Sequence, residues 1–324
     1  MIEGVVLFVH IFGFFAILIP LWVMGPVGDA AEVFTTFNDY GGWGDLGASA
    51  LVGIFAVILP LLGADAAVHM SEELKDASKT LPRSMIATTV INGAMAFVMI
   101  ITFCMVLGNL DEIIFTPTTQ PFIAVFYQAT QSLAGTNAMT ALIIFMQMFC
   151  NLSIVATASR QLFAFARDKG TPFGGWLAYV RPGWDVPANS IFVSWLVTCL
   201  LSLINIGSPV AFNSISSLSI SGILASYVVS IGCIARKRIL NEPMLPSKFT
   251  LGRWPGLALN IVSLIYLALF FVLSFFPQSL HPTAPTMNWA IVMFGGIIIL
   301  ALLHYAVKAR HVYDGPVEYV RKGV

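Results

Sequence analysis

Asp65 and His10 are ionisable side chains set in runs that are otherwise apolar, LPLLGAD and VVLFVHIFG, and proton chemistry is what such residues could do there. A carboxylate at the centre of a membrane helix costs about 2.5–3.5 kcal/mol on insertion scales, so it should face protein and find a donor. Asp65 then serves as a proton carrier or as an organiser of its own segment. The plainer alternative is a shallow carboxylate reached by water from the inner side. Histidine ordinarily titrates between pH 5 and 8, which suits His10 to accepting a proton, although a lone histidine on an apolar face also serves as a hydrogen-bonded packing residue. His69, Glu72 and Glu73 have the spacing of half a di-metal carboxylate site, but the chain has no second helix of that kind. No metal site, cofactor or catalytic residue is expected.

Pro60 and Gly63 immediately precede Asp65. In a helix interior proline costs about 3 kcal/mol and glycine about 1, so a broken helix is favoured over a continuous one. Removing the Pro60 N–H frees the carbonyl of Ala56, which at that depth is tolerated only against protein or a water-filled cavity. Half-helix ends near the membrane midplane are where secondary transporters hold ions and substrates. Ala56, Leu59, Pro60, Leu62 and Gly63 are therefore the candidate substrate-binding residues, acting through backbone carbonyls and the negative end of the preceding half-helix. A simple proline kink is the competing reading.

The elements that must position these residues follow from composition. Of 324 residues, 58% are hydrophobic and 10% charged, and the mean hydropathy is +0.86. Soluble domains carry about 25% charged residues, so a water-soluble globule is excluded. Sixteen basic residues balance sixteen acidic ones, leaving no basic excess for nucleic acid. The four cysteines lie in apolar runs with no CxxC pair, which indicates neither a disulfide framework nor a zinc site. The N-terminus lacks the basic start of a signal peptide, and its apolar run reads as a first span.

A bilayer core needs about 20 apolar residues in a helix. Eight such runs occur, roughly 4–24, 46–68, 85–108, 138–159, 187–206, 210–235, 254–276 and 287–307. Each is continuously apolar, as helices are and barrel strands are not. The predicted fold is an all-α integral membrane protein with the lipid bilayer as its solvent, in one membrane domain over 1–324. Alternating the connections puts all 16 Lys and Arg residues on the face holding 70–84, 160–186, 236–253 and the tail after 307. The other loops carry Asp29, Glu32, Asp39, Asp45, Asp111 and Glu112. The positive-inside rule makes the basic face cytoplasmic, with both termini inside.

Two further patterns bear on packing. In 117–135, Pro121 suits a first helical position, and Phe122, Phe126, Ala129 and Leu133 recur at helical spacing, giving a short surface helix that is either a lid or a plain interfacial element. In the sixth run, Ser217, Ser221 and Ala225, and also Gly222, Ser226 and Ser230, form small-residue faces that let helices approach closely.

The segment GADAAVHMSEELKDASKTLPRSM, residues 63–85, resembles the sixth helix of amino acid–polyamine–organocation transporters, and SRQLFAFARDKGTP, residues 159–172, resembles the inner end of their eighth. AVHMSEE and PTTQPF are most similar to fungal permeases for choline, γ-aminobutyrate and amino acids. The resemblance implies a core of two inverted five-helix repeats plus peripheral helices, of which this chain holds helices five to twelve. It lacks the first four, one of them the other broken helix of the substrate site. It further implies that carbonyls around Leu59 and Leu62 face the substrate amine. His10 lies near a position where some proton-coupled relatives carry a lysine.

The function expected is secondary active transport of a small cationic or zwitterionic amine, coupled to protons, in a multi-pass protein of the plasma membrane, with this chain an incomplete permease inactive alone. A non-transporting membrane subunit derived from a transporter is the alternative. An intramembrane aspartyl protease needs two carboxylates sharing a site, and only one Asp lies within a span.

Overall fold

A computed structural model describes residues 2–58, 61–114, 120–184, 186–207, 209–244, 247–284, 286–313 and 315. Among them the helices run α1 Ile2–Met24, α2 Ala30–Thr35, α3 Leu46–Ile58, α4 Ala77–Val106, α5 Leu110–Ile114, α6 Pro121–Thr130, α7 Leu133–Arg167, α8 Gly174–Leu177, α9 Ala188–Gly207, α10 Pro209–Ile239, α11 Trp254–Leu273 and α12 Ala290–Val307. A 3-10 helix, Ala64–Glu73, lies between α3 and α4. No β-strand occurs among the described residues.

Six of these helices are long and apolar enough to cross a membrane: Gly4–Met24, Ala77–Val106, Leu133–Arg167, Ser214–Ile239, Trp254–Leu273 and Ala290–His311. Only 6–22% of their most apolar windows is buried against protein, which leaves broad faces for lipid. The chain is thus a multi-pass helical membrane protein. Two further predicted runs remain. The run 187–206 falls on α9, whose described apolar stretch is Ala188–Ile204. The run 46–68 is divided between α3 and the 3-10 helix. Both α4 and α7 extend beyond their apolar runs because helix-compatible polar residues, such as Ser78–Thr80 and Ser159–Gln161, prolong the winding past the hydrocarbon thickness.

The chain forms two compact units, Met1–Asn38 with Ala87–Ile154, and Asp39–Ile86 with Val155–Val324. In the first, α6 packs on α1. Pro121 opens α6 at a position where its missing N–H is harmless, and Val125, Phe126 and Ala129 face Ile17, Leu21, Val106, Ile113 and Met139 in one core. Leu133, which the spacing grouped with that face, is exposed at the start of α7. Trp22 Nε1 donates to Thr102 Oγ1 at 2.9 Å, and the Gly28 N–H donates to the Met105 carbonyl at 2.7 Å. These bonds satisfy polar groups that apolar surroundings would otherwise strand.

In the second unit α10 is central, packed against α9, α11 and α12. Ile220, Leu224, Leu267, Phe270, Leu273 and Ile58 form its core. Ser221 and Ser274 are fully buried and share a hydrogen bond at 2.8 Å, so the Ser217/Ser221 face does pack closely. Ser226 and Ser230, on the other small-residue face, are exposed. The Arg253 guanidinium donates to the carbonyls of Arg238 and Ile239 at 3.0 and 3.2 Å, closing the C-terminus of α10. Gly256 lets the Arg238 side chain lie against the start of α11, since a Cβ there would collide with it. Lys248 ties its loop to the start of α4 through Asp76 Oδ1, 2.8 Å, and Ser78 Oγ, 3.1 Å.

Candidate functional site

The second predicted span is interrupted where Pro60 and Gly63 suggested. Leu59 and Pro60 themselves lie outside the described residues. Before them α3 runs to Ile58, which is buried in the α10–α11 core, and the Ala56 backbone is part of that helix. After them Leu62 packs against the same core. Gly63 takes φ +91°, ψ 9°, a left-handed conformation that glycine adopts freely and L side chains rarely do. Its carbonyl accepts from Ala66 N at 3.0 Å, which starts the 3-10 helix. That helix has ten residues, where 3-10 runs rarely exceed three or four, and a mid-span 3-10 stretch marks a hinge or a strained sequence. It ends at Leu74, whose backbone is extended.

Asp65 sits on the first turn of this segment and is held from two sides. Tyr227 of α10 donates its hydroxyl to Oδ1 at 2.5 Å. His69 Nε2 lies 3.2 Å from Oδ2, four residues further along the segment. The backbone N–H groups of Gly63 and Asp65 also approach the Tyr227 oxygen. The side chains of Asp65 and His69 remain 30% and 26% exposed. The expectation that Asp65 finds a donor therefore holds, and the donor comes from a helix that sequence reasoning had read only for its small residues.

Tyr227 was the missed residue. A phenol deep in an apolar helix needs a polar partner, and Asp65 needs a donor, so the two could have been matched. Tyr266 and Tyr305, in other spans, offered equal matches on sequence alone.

His10 belongs to the first unit and Asp65 to the second. His10 is exposed on α1 and has no polar partner among the described residues. His69 bonds Asp65, while the side chains of Glu72 and Glu73 lie outside the described atoms.

The segment before α3 is also ordered by a carboxylate. Asp39 Oδ2 accepts from Gly44 N at 2.8 Å, and the backbone of Trp43, foremost among several donors, holds the Asp39 carboxyl below the ordinary 3.8. Asp45 Oδ2 accepts from Ala48 N at 2.8 Å, capping α3.

A multi-pass bundle with one interrupted helix, glycine at the interruption and a bonded carboxylate just beyond it is a transporter-like arrangement. The sequence model of the family described as "Amino acid permease" matches residues 1–298. The chain belongs to the amino acid permease family. Among its relatives is an amino acid/polyamine transporter by name, from Macrophomina phaseolina, 35% identical over 76% of this chain and 54% of that protein. The choline transporter of Saccharomyces cerevisiae is 27% identical over 94% of this chain and 54% of its own length. The Arabidopsis thaliana amino-acid permease BAT1 is 28% identical over 94% of this chain and 60% of its own. The chain thus spans about half the length of the curated relatives it matches. No solved structure matches it.

Proposed function

We propose that this permease chain contributes to secondary active transport of a small cationic or zwitterionic amine, such as an amino acid, choline or γ-aminobutyrate. The interruption at Gly63 carries the reading. The C-terminal end of α3, negative by its dipole, together with the backbone carbonyls expected from the sequence at Ala56, Leu59, Pro60, Leu62 and Gly63, are the groups proposed for the substrate nitrogen. Proton coupling belongs to the same proposal, with His10 and Asp65 as the candidate groups, since ionisable residues in a membrane are costly unless used. Transport by alternating access needs two repeats around the site. The 324 residues alone should therefore insert without transporting, and activity needs the further length that the relatives carry. The basic face is proposed as cytoplasmic, on the segregation of all 16 Lys and Arg residues, and the membrane is proposed as the plasma membrane.

The test is uptake of radiolabelled choline, γ-aminobutyrate and amino acids in cells lacking their own permeases, by this chain and by a version carrying the four preceding spans. Saturable uptake is expected from the long version and not from the short one. Pro60→Ala in the long version should weaken uptake at equal surface expression. Unchanged kinetics would remove the interrupted helix from the substrate site.

A further inference from the structure

We propose that Asp65, His69 and Tyr227 form a proton site: His69 binds the proton, Asp65 holds it, and Tyr227 fixes Asp65 to α10. What that proton drives rests on the transporter reading above; the site itself does not.

The geometry divides the labour. Asp65 accepts two donors on separate oxygens, Tyr227 on Oδ1 at 2.5 Å and His69 on Oδ2 at 3.2 Å. The Tyr227 hydroxyl is a neutral donor throughout the physiological range, so its bond ties the segment to α10 at any such pH. His69 is different, because a protonated imidazole gains a full ionic attraction to the carboxylate that a neutral one lacks. An arrangement that joins His69 to Asp65 therefore binds a proton more tightly than one that parts them. By linkage, proton binding favours the joined arrangement, and any motion that separates the pair expels the proton.

The segment carrying the pair is suited to such motion. Gly63 at φ +91° leads into it, and it is wound as a ten-residue 3-10 helix. Both side chains are partly exposed. From α10 the group that faces Asp65 is Tyr227, and on the segment itself it is His69. Asp76, just beyond the segment, is already engaged by Lys248 at 2.8 Å. Lys75 and the acids Glu72 and Glu73 lie three to six residues past His69 in sequence.

The experiment is nitrogen-15 magnetic resonance of histidine-labelled full chain in lipid bilayers, titrated from about pH 8 to 5. The signal lost in His69→Gln identifies residue 69 among the five histidines. It should take up a proton in the course of the titration, and Asp65→Asn should shift that uptake to lower pH. Tyr227→Phe should leave the titration in place while increasing the mobility of a spin label at Leu74, the end of the segment. A His69 signal that stays neutral to pH 5 overturns the proposal, and so does a titration unchanged in Asp65→Asn. Neither readout needs transport. Proton-driven uptake by the long version that keeps its pH dependence in His69→Gln overturns this site and leaves the transporter reading standing. An intact titration beside absent uptake by the long version overturns the transporter reading and leaves the site.

Discussion

Helix α6 and the 3-10 segment after Gly63 are both short pieces joined to long membrane helices, and they are held by opposite means. Under α6 the contacts are apolar: Phe126 and Val125 are almost completely buried against α1 and α4. The 3-10 segment is held by a phenol, a carboxylate and an imidazole, and it begins at a glycine. An apolar contact is released only by giving up its close packing, whereas a polar one can be exchanged for water, an ion or a substrate group where these reach it. This favours α6 as a static interfacial element over the lid that its amphipathic spacing also allowed. The segment beyond Gly63 is the piece built to change partners.

The largest effect that would sharpen this contrast is in the apolar region. Phe126→Ala removes a fully buried ring and should destabilise the first unit by about 3–5 kcal/mol, read as unfolding in lipid. A loss below about 1 kcal/mol would mean that α6 is loosely seated, reviving the lid.

A pair of glycine substitutions tests the other side. The Cβ added by Gly63→Ala would find open space, so its cost is conformational alone, about 1–2 kcal/mol for a left-handed residue. Gly222→Ala also meets open space but lies within the regular helix α10, where alanine is favoured by up to about 1 kcal/mol. Opposite signs are expected from thermal unfolding of the two variants. Equal and neutral effects would mean that the chain at Gly63 relaxes easily into a continuous helix.

A smaller effect lies between α10 and α11. Ser221 and Ser274 each keep an intrahelical acceptor, Ser217 O and Phe271 O, so losing their mutual bond should cost little. A double-mutant cycle to alanine should give a coupling of about 0.6 kcal/mol, the usual value between membrane helices. A coupling near zero would make the contact one of shape alone.

Much of this architecture was legible because a bilayer imposes length and apolarity on each crossing. The runs at 4–24, 254–276 and 287–307 lie on α1, α11 and α12 within a few residues. The interruption was legible because proline and glycine act locally. Proline alone was not sufficient: Pro20 and Pro82 sit inside continuous helices. What could not be read was the 3-10 winding and the partner of Asp65. The first depends on contacts made after folding. The second joins residues 162 positions apart, and no local spacing records that pairing.

The smallest effect belongs to Asp39, and its sign is fixed by its donors. The Trp43 backbone chiefly, with Gly44, Ser49 and Gly42, favours the ionised carboxylate over the acid, outweighing the opposing desolvation. A folded-state value below the ordinary 3.8 means that the contribution is complete above that value and is lost as pH falls through the lower, native one. The loop is joined to the region after α11 through the Leu280 N–H bond to the Gly41 carbonyl, 3.0 Å, and the Trp43–Phe276 ring contact. Trp43 fluorescence should therefore report loosening of this loop as pH falls below 3.8. Asp39→Asn should be looser already at neutral pH and should remove the acid-dependent step, because the amide keeps one acceptor oxygen but carries no charge. An acid step of full size in Asp39→Asn would assign the transition to another carboxylate, with Asp45 at the cap of α3 the next to examine.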